Sequence, residues 1–297
     1  MEASVHIYPG QEAPGKRLAD QLGLLHHSID IHTFPDGESL LRVVPQSGTV
    51  VLYASLYQPN AKLIHILQAA QAFRDGGAQR IVLVCPYLCY MRQDKAFHEG
   101  EAVSQRLMGT LLGPAFDRIV TVDPHLHRVS SLSEVFPGRD ADALSAAALI
   151  AQKVAADDTL EGAILVGPDG ESEQWVGAAA RAAGLDYMVA TKERFGDREV
   201  RVTLPEAGQA RGRAAVIVDD LVSSGTTMQR CAEILTQAGA KHIEAVAVHA
   251  VCSDKDFAAM KAAGIARLRS CDGILHKSND IELAPLLAEA LEKEARP

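Results

Sequence analysis

One stretch decides the fold of this chain: residues 214–227, Ala-Ala-Val-Ile-Val-Asp-Asp-Leu-Val-Ser-Ser-Gly-Thr-Thr. Residues 214–218 are apolar, small or β-branched, and without polar alternation, which is typical of a strand buried on both faces of a parallel sheet. Two carboxylates, Asp219 and Asp220, follow this run. We therefore place them at the carboxyl end of the strand, where open α/β sheets bind their ligands.

The loop after the acids, residues 223–227, is rich in hydroxyls, and residues 228–239 are predicted as a helix. In such a turn, free backbone N–H groups and the positive end of the helix dipole surround one point, which suits a phosphate. Asp219 and Asp220 could then accept hydrogen bonds from the hydroxyls of a phosphorylated sugar. The alternative is an ordinary turn capped by one Ser or Thr, which would leave the acids and the other hydroxyls without a use.

Residues 218–227 resemble the phosphoribosyl-binding loop of type I phosphoribosyltransferases and of ribose-phosphate pyrophosphokinases, the enzymes that make phosphoribosyl pyrophosphate (PRPP). The resemblance implies a site for ribose 5-phosphate. The implied ligands of its phosphate are Ser223, Ser224, Gly225, Thr226 and Thr227, and those of its ring hydroxyls are Asp219 and Asp220. The loop alone does not separate enzymes that use PRPP from those that make it.

Length and composition restrict the class of protein. The chain has 297 residues, 47% hydrophobic and 23% charged, which suits two soluble domains of ~100 to 200 residues each. A net charge of -9 argues against a general nucleic-acid surface, because phosphate backbones are held by clustered Lys and Arg. Without a membrane-spanning run or a secretory leader, we expect a cytoplasmic protein with no membrane partner. The five cysteines are expected to be reduced packing residues.

A turn near the amino terminus, Phe34-Pro35-Asp36-Gly37-Glu38, separates two predicted strands, residues 28–34 and 40–44. Spacing alone fits a solvated turn equally well. The motif resembles the adenine-nucleotide loop of the pyrophosphokinases, which phosphoribosyltransferases do not share. The resemblance implies that Phe34 flanks the base and that Asp36 and Glu38 accept hydrogen bonds from it.

A second nucleotide motif lies in the polar connection 87–101, which is long for a link between a strand and a helix. Its segment Tyr90-Met91-Arg92-Gln93-Asp94-Lys95 is similar to the family's Tyr-Ala-Arg-Gln-Asp-Lys. The similarity implies that Arg92 and Gln93 bind ATP, and the planar donors of an arginine match phosphate oxygens. A solvated surface loop is the alternative.

Two further motifs resemble the metal-binding positions of the family. The predicted strand 118–122 is followed by Asp-Pro-His, which resembles Asp-Leu-His and implies that His125 is a metal ligand. Asp169, after the predicted strand 162–166, matches the acid at the second metal position. The implied ion is Mg²⁺, and because Mg²⁺ prefers oxygen ligands the histidine assignment rests on the resemblance. His127 matches no family role.

The chain departs from the family pattern in two places. Residues 128–143 lack the usual Phe-Phe-x-x-Pro, which changes the expected contacts between subunits. Residues 170–174, Gly-Glu-Ser-Glu-Gln, replace the usual Ala-Gly-Gly after Asp169, which changes the expected contacts with ribose phosphate.

Residues 192–197, Lys-Glu-Arg-Phe-Gly-Asp, lie at the base of a predicted charged hairpin and resemble the family's catalytic loop. The resemblance implies that Lys192 and Arg194 are catalytic. Phosphoryl transfer needs little covalent chemistry and much neutralisation of charge on the transferring oxygens, which two cations can supply. Without the resemblance, a hairpin that is merely solvated would be the better interpretation.

Strand and helix patterns alternate through both halves, which predicts an α/β fold with mostly parallel sheets flanked by helices. The resemblance covers essentially the whole chain and implies two tandem type I phosphoribosyltransferase-like domains. The first, residues 1–143, is expected to bind nucleotide, and the second, residues 144–297, ribose 5-phosphate. The closing helix, residues 281–293, is a candidate to pack on the first domain.

The implied activity is that of a ribose-phosphate diphosphokinase in nucleotide biosynthesis. The enzyme would transfer the β,γ-pyrophosphoryl group of Mg-ATP to the C1 hydroxyl of ribose 5-phosphate, giving PRPP and AMP, and would form a homo-oligomer. A catalytically silent regulatory homologue should have lost catalytic or metal residues, but His125, Asp169, Lys192 and Arg194 are present. A PRPP-using phosphoribosyltransferase should lack the nucleotide motifs.

Overall fold

The computed structural model describes residues 3–195 and 199–296, with side chains throughout these ranges except for residues 193–201. The chain divides into two compact units. Unit 1 contains Met1–Leu144 and Leu283–Pro297, and unit 2 contains Ser145–Glu282. Two segments that are distant in the sequence therefore build unit 1.

Unit 1 is built on a parallel six-stranded sheet. Its elements before the last helix are β1 (Ala3–Ile7), α1 (Glu12–Leu22), β2 (Leu25–Ser28), β3 (Asp30–Thr33), β4 (Ser39–Arg42), β5 (Thr49–Tyr53), α2 (Pro59–Asp75), β6 (Arg80–Val84), α3 (Ser104–Leu112), β7 (Arg118–Val122) and β8 (Asp140–Leu144). The strand order is β2-β1-β5-β6-β7-β8. Strand β5 is buried along its whole length, as expected for a parallel strand covered on both faces.

Strands β3 and β4 form a separate antiparallel hairpin that packs along α2. Thr33 pairs with Ser39, and residues 34–38 connect the two strands. The single strand predicted for residues 28–34 is therefore wrong in extent. The chain leaves the large sheet at Ile29, which is 2% exposed, and enters the hairpin directly after it.

Unit 2 repeats this connectivity. Its elements are α4 (Ala147–Ala155), β9 (Ile164–Gly167), α5 (Glu173–Ala183), β10 (Asp186–Val189), β11 (Thr191–Phe195), β12 (Glu199–Thr203), β13 (Ala214–Val222), α6 (Thr226–Ala238), β14 (His242–Ala250), α7 (Asp254–Ala262), β15 (Arg267–Cys271) and β16 (Asn279–Ile281). The parallel sheet has the order β10-β9-β13-β14-β15-β16, and β11 and β12 form a separate antiparallel hairpin. In each unit, a hairpin thus lies in sequence between the second and third strands of the sheet.

The last helix, α8 (Ala284–Ala295), belongs to unit 1 and packs against α1. Glu294 accepts hydrogen bonds from Arg80 in β6 at 2.8 Å and from Arg118 in β7 at 3.2 Å. The helix predicted for residues 281–293 begins too early, because β16 takes up Asn279–Ile281 to pair with β15. A proline in the first turn of α8 marks the true start.

Each unit has its own apolar core, centred on residues such as Leu52, Ile66 and Phe73 in unit 1 and Ile217 and Leu235 in unit 2. The five cysteines are free and buried, as the sequence predicts. Within the part of the chain that the structure describes, no helix has the length and apolar character needed to cross a membrane.

Candidate active site

The two acids of the central motif lie within β13. This strand continues to Val222 because it pairs with the equally long β14, and the pairs include Asp219 with Ala247 and Val222 with Ala250. The strand therefore extends two residues beyond the acids. The acids nevertheless occupy the carboxyl-terminal half of the strand, as the motif indicates.

Three carboxylates of unit 2 are close enough for their charges to interact. Asp220 is 4% exposed, and its backbone N–H donates to Asp219 Oδ1 at 3.0 Å. Burial raises the pKa of Asp219 well above its usual range, and the negative charges of Asp220 and Asp169 raise it further. Such a cluster favours a ligand that brings a cation or hydrogen-bond donors.

Gly225 makes the turn from β13 into α6. Its φ is +66°, and a Cβ at this position would lie 2.4 Å from Met260 Sδ in α7, so that both conformation and space require glycine. Gly225, the N-cap residue, has no side chain to cap α6, and the Thr226 N–H makes only a long hydrogen bond of 3.5 Å to Ser224 Oγ. The first-turn N–H groups of α6 are therefore open to an anion.

Asp169 follows β9 and begins a short 3₁₀ helix, Gly170–Ser172, formed by the residues that depart from the family pattern. Its Oδ1 accepts a hydrogen bond from the Glu171 N–H at 3.1 Å, which fixes the carboxylate. Its other oxygen, Oδ2, lies 3.5 Å from Lys192 Nζ. The structure thus brings a predicted metal ligand and a predicted catalytic residue together in unit 2.

Cys231, in α6, was not singled out by the sequence motifs. It is fully buried, and its Sγ lies 3.7 Å from the Pro168 carbonyl oxygen. Burial raises its pKa to about 12, with the charges of Asp169 and Asp219 contributing and that of Lys192 opposing. The acids and Lys192 therefore lie near enough to this buried thiol for their charges to affect its pKa.

The predicted catalytic pair lies on the β11–β12 hairpin. Lys192 pairs with Val202, and the backbone of Arg194 pairs with Val200. Lys192 is in a strand and not in a loop, since the strand predicted for residues 185–191 ends at Val189 and β11 begins at Thr191. The side chain of Arg194 lies outside the described residues, and its role stays a prediction.

The first nucleotide motif forms the tip of the β3–β4 hairpin. The Phe34 N–H donates to the Glu38 carbonyl at 2.8 Å, and the Glu38 N–H donates to Asp36 Oδ1 at 3.1 Å. The Phe34 ring meets His32 edge to face at 4.8 Å and is 40% exposed. The tip thus presents one aromatic ring and two exposed carboxylates to solvent.

The second nucleotide motif leads into α3. Gln93 is fixed there, since its Oε1 accepts from Ser104 Oγ at 2.6 Å and its carbonyl accepts from the Gln105 N–H at 3.2 Å. Arg92 is exposed. Gln93 therefore has a fixed position, and Arg92 is free to reach a ligand from the surface.

A cavity of about 750 Å³ adjoins this segment in unit 1. Four of its lining side chains are basic: Lys95, Arg106, Arg128 and Arg139. Arg128 is paired with Asp94, which also lines the cavity, at 2.5 Å. Within the described part of the chain, none of the predicted site residues lines the cavity, so it does not represent the predicted nucleotide site.

His125 and His127 follow β7 with their rings edge to face, 3.8 Å between centroids, and their Nε2 atoms in direct contact. The sequence motifs assigned a ligand role to His125 and none to His127. Imidazole nitrogens are common metal ligands, and here two of them lie at the same place. His127 is therefore a second candidate at this position.

The side chains partly suit Mg²⁺. In unit 2 the carboxylate of Asp169 supplies oxygen atoms, which are the ligands that Mg²⁺ prefers. In unit 1 the histidine pair supplies nitrogen, which suits transition metals better. The acid assignment thus agrees with the chemistry of Mg²⁺, whereas the histidine assignment gains no support from it.

Comparison with known families matches both halves of the chain. Residues 9–115 match the N-terminal domain of ribose phosphate pyrophosphokinase, and residues 141–272 match the phosphoribosyl transferase domain. A ribose-phosphate pyrophosphokinase from Methanopyrus kandleri is 30% identical over 280 residues, which are 94% of each chain. Ribose-phosphate pyrophosphokinase 2 from Archaeoglobus fulgidus is 32% identical over 285 residues, 95% of this chain and 98% of that relative.

A solved structure shares the fold over the full length. The crystal structure of phosphoribosylpyrophosphate synthetase from Mycobacterium smegmatis superposes with a TM-score of 0.83, covers 99% of both chains and has 23% sequence identity. This likeness confirms the predicted α/β fold class.

Proposed function

The chain belongs to the ribose-phosphate pyrophosphokinase family, and from this premise we propose that it transfers the β,γ-pyrophosphoryl group of Mg-ATP to the C1 hydroxyl of ribose 5-phosphate. The C1 oxygen forms a bond to the β-phosphorus, the bond from that phosphorus to the α–β bridging oxygen breaks, and the hydroxyl proton is released. The products are PRPP and AMP.

The observation that carries the proposal is the arrangement at the end of β13. The N-terminus of α6, with Gly225 as its N-cap, directly follows the strand that carries Asp219 and Asp220. We assign the phosphate of ribose 5-phosphate to Ser223, Ser224, Gly225, Thr226 and Thr227, and its ring hydroxyls to the two acids. The loop donates N–H groups and the acids accept, so both ends of the sugar phosphate are held.

The proposed metal ligands are Asp169 in unit 2 and His125 in unit 1. Mg²⁺ bound at either position would neutralise charge on the phosphate oxygens of ATP. Asp169 is held for this purpose by the Glu171 N–H and by the 3₁₀ turn that follows it. Its charge is also available to position Lys192.

Lys192 and Arg194 are the proposed catalytic cations. The side chain of Lys192 is 35% exposed, so it can reach a phosphate oxygen of a bound ligand. A cation that stabilises the charge developing on the transferred group acts mainly in the transition state. No proton transfer is required of either residue.

The nucleotide is assigned to unit 1. Phe34 would flank the adenine base, Asp36 and Glu38 would accept hydrogen bonds from it, and Arg92 and Gln93 would contact the rest of ATP. The supporting observations are the exposed aromatic and acidic hairpin tip and the fixed position of Gln93.

The homo-oligomeric state and the cytoplasmic location stay predictions. Light scattering during size-exclusion chromatography measures the oligomeric state.

The test is ³¹P NMR of the protein with ribose 5-phosphate, ATP and Mg²⁺. The expected result is AMP together with a diphosphate on C1 of ribose. ADP as the product would contradict pyrophosphoryl transfer, because it would mean that only the γ-phosphoryl group moves. Unchanged ATP, with consumption of added PRPP and a free base, would identify a phosphoribosyltransferase instead.

A further inference from the structure

Ser39 joins the β3–β4 hairpin to α2 through hydrogen bonds. Ser39 begins β4 and directly follows Glu38. Its Oγ lies 2.8 Å from His65 Nε2, and its carbonyl accepts a hydrogen bond from Gln68 Nε2 at 3.2 Å. His65 and Gln68 are both on α2, so the end of the loop is held by two neighbouring side chains of one helix.

The other ring nitrogen of His65 continues the connection into the sheet. His65 Nδ1 lies 2.7 Å from the Tyr8 hydroxyl, and the two rings stack with centroids 5.9 Å apart. Tyr8 follows β1, and its backbone N–H donates to the Tyr53 carbonyl of β5 at 3.0 Å. A continuous chain of side chains therefore joins the main sheet to the hairpin: Tyr8, His65 and Ser39.

The protonation states suit this chain. His65 and Tyr8 are each 8% exposed, and burial lowers the pKa of His65 and raises that of Tyr8. At neutral pH the imidazole is therefore neutral, with one donor and one acceptor, and the phenol keeps its proton. In either tautomer the ring donates to one hydroxyl and accepts from the other, so both bonds are made at once.

The hairpin needs such an attachment. It is a two-stranded sheet with mostly exposed side chains, and only Ile31 and Leu41 of its two strands pack against the core of unit 1. By itself, a hairpin of this kind is only marginally stable. Groups that hold a reacting substrate must be placed to a fraction of an ångström, so a tip that moves freely would bind the base poorly.

We propose that His65 is a positioning residue for the nucleotide: it sets the position of the hairpin tip that carries Phe34, Asp36 and Glu38. The inference rests on the proposed role of that tip in binding ATP. His65 does not itself touch the reacting groups. It acts through Ser39, the residue next to Glu38.

The test compares His65→Phe with the wild-type protein. Loss of both ring hydrogen bonds is expected to raise the KM for ATP about tenfold, with kcat and the KM for ribose 5-phosphate within about twofold. Calorimetry with α,β-methylene-ATP, which lacks the bond that the reaction breaks, should show the same loss of affinity. Amide exchange in residues 30–42 should become faster, which reports on the hairpin without any turnover.

Conservative and distant variants separate positioning from general loss of stability. His65→Gln retains one donor and one acceptor and should recover part of the ATP affinity. Ile119→Val, in the buried strand β7 of the same unit, costs about 1 kcal/mol of stability without touching the hairpin, and should leave the KM for ATP unchanged. If His65→Phe does not fold, Ser39→Ala replaces it in the test, because Ser39 is the half-exposed end of the Tyr8–His65–Ser39 connection.

Two outcomes overturn the inference in different ways. If Phe34→Ala raises the KM for ATP but His65→Phe and Ser39→Ala do not, the tip binds nucleotide and His65 does not position it. If Phe34→Ala leaves the KM for ATP unchanged, the nucleotide assignment of the hairpin is wrong, and the inference fails with it. Combining His65→Phe with Ser39→Ala should add little to either change, because both break the same connection.

Discussion

Lys192 Nζ and Asp169 Oδ2 lie 3.5 Å apart in unit 2. A proposed catalytic cation thus faces a proposed metal ligand, and each neutralises part of the charge of the other. Replacement of either residue should therefore change catalysis. An ordinary surface ion pair, by contrast, contributes little to stability.

Lys192→Ala is expected to lower kcat by about 100-fold or more, while ribose 5-phosphate still binds, because a charge that acts in the transition state contributes little to substrate affinity. Steady-state kinetics with calorimetry of the sugar phosphate measures both quantities. Lys153→Ala is the matched control, since Lys153 also pairs with an acid of unit 2, Asp280 at 2.9 Å, and is 34% exposed. Equal turnover in both variants would remove Lys192 from the mechanism.

Asp169→Asn should raise the Mg²⁺ concentration needed for half-maximal activity by at least about tenfold, because one charged oxygen ligand is lost. A titration of Mg²⁺ at fixed ATP and ribose 5-phosphate measures this. Removal of Mg²⁺ with a chelator should abolish turnover in the wild-type protein. An unchanged Mg²⁺ requirement in the variant would contradict the ligand assignment.

Asp220→Asn should weaken binding of ribose 5-phosphate about tenfold or more, since the buried carboxylate no longer offers a charged acceptor to a ring hydroxyl. Calorimetry without ATP isolates this effect. Asp186→Asn, at a carboxylate that is 68% exposed and paired with Arg213, should leave the affinity unchanged. Unchanged affinity in Asp220→Asn would exclude the acid from the sugar site.

Gly225→Ala and Gly239→Ala form a matched pair at the two ends of α6. Both glycines have positive φ, +66° and +90°, but a Cβ at Gly239 meets nothing closer than Arg211 Cγ at 3.6 Å. Both variants should therefore lose about 1 to 2 kcal/mol of stability from backbone strain. Only Gly225→Ala should also lose affinity for ribose 5-phosphate, and shortening Met260 in the same protein should restore part of it.

Stability should fall in mild acid because of His6 in β1. Burial, with a further contribution from His27, lowers the pKa of His6 from 6.5 to about 4. The folded protein binds fewer protons than the unfolded chain between these values, so the contribution is complete above pH 6.5 and is lost as the pH falls to 4. The loss should reach about 3 kcal/mol.

Urea unfolding between pH 7 and 4 measures this dependence. His6→Asn should be less stable than the wild-type protein at pH 7 and should show a shallower decline toward pH 4. A decline as steep as that of the wild-type protein would show that other groups carry the pH dependence.

The sequence predicted the strands that are apolar and buried, and it was less successful for strands at the edges of the sheets. Residues 140–144, Asp-Ala-Asp-Ala-Leu, contain poor strand formers and were not predicted as a strand. They form β8 because the neighbouring strand β7 offers its free edge, and Arg118 of β7 pairs with Asp142 at 2.7 Å. Tertiary context, not local propensity, decides that element.

The site shows a similar limit. The motifs identified Asp169 and Lys192 separately, but no spacing rule relates residues on different strands, and so their contact could not be predicted. The buried thiol of Cys231 carries no signal in the sequence that distinguishes it from an ordinary core cysteine. The roles of Asp36, Arg92 and the other assigned residues stay predictions until the variants are measured.

Helix α8 packs on α1 in unit 1, and its Glu294 bonds to Arg80 and Arg118 of the same unit. During synthesis on the ribosome, the chain of unit 2 is therefore complete while unit 1 still lacks one of its helices. Domains usually fold in the order in which they are translated. Here unit 1 is the first to be translated, yet its last helix is translated after unit 2. Until α8 emerges, Arg80 and Arg118 lack the carboxylate of Glu294 that both bind.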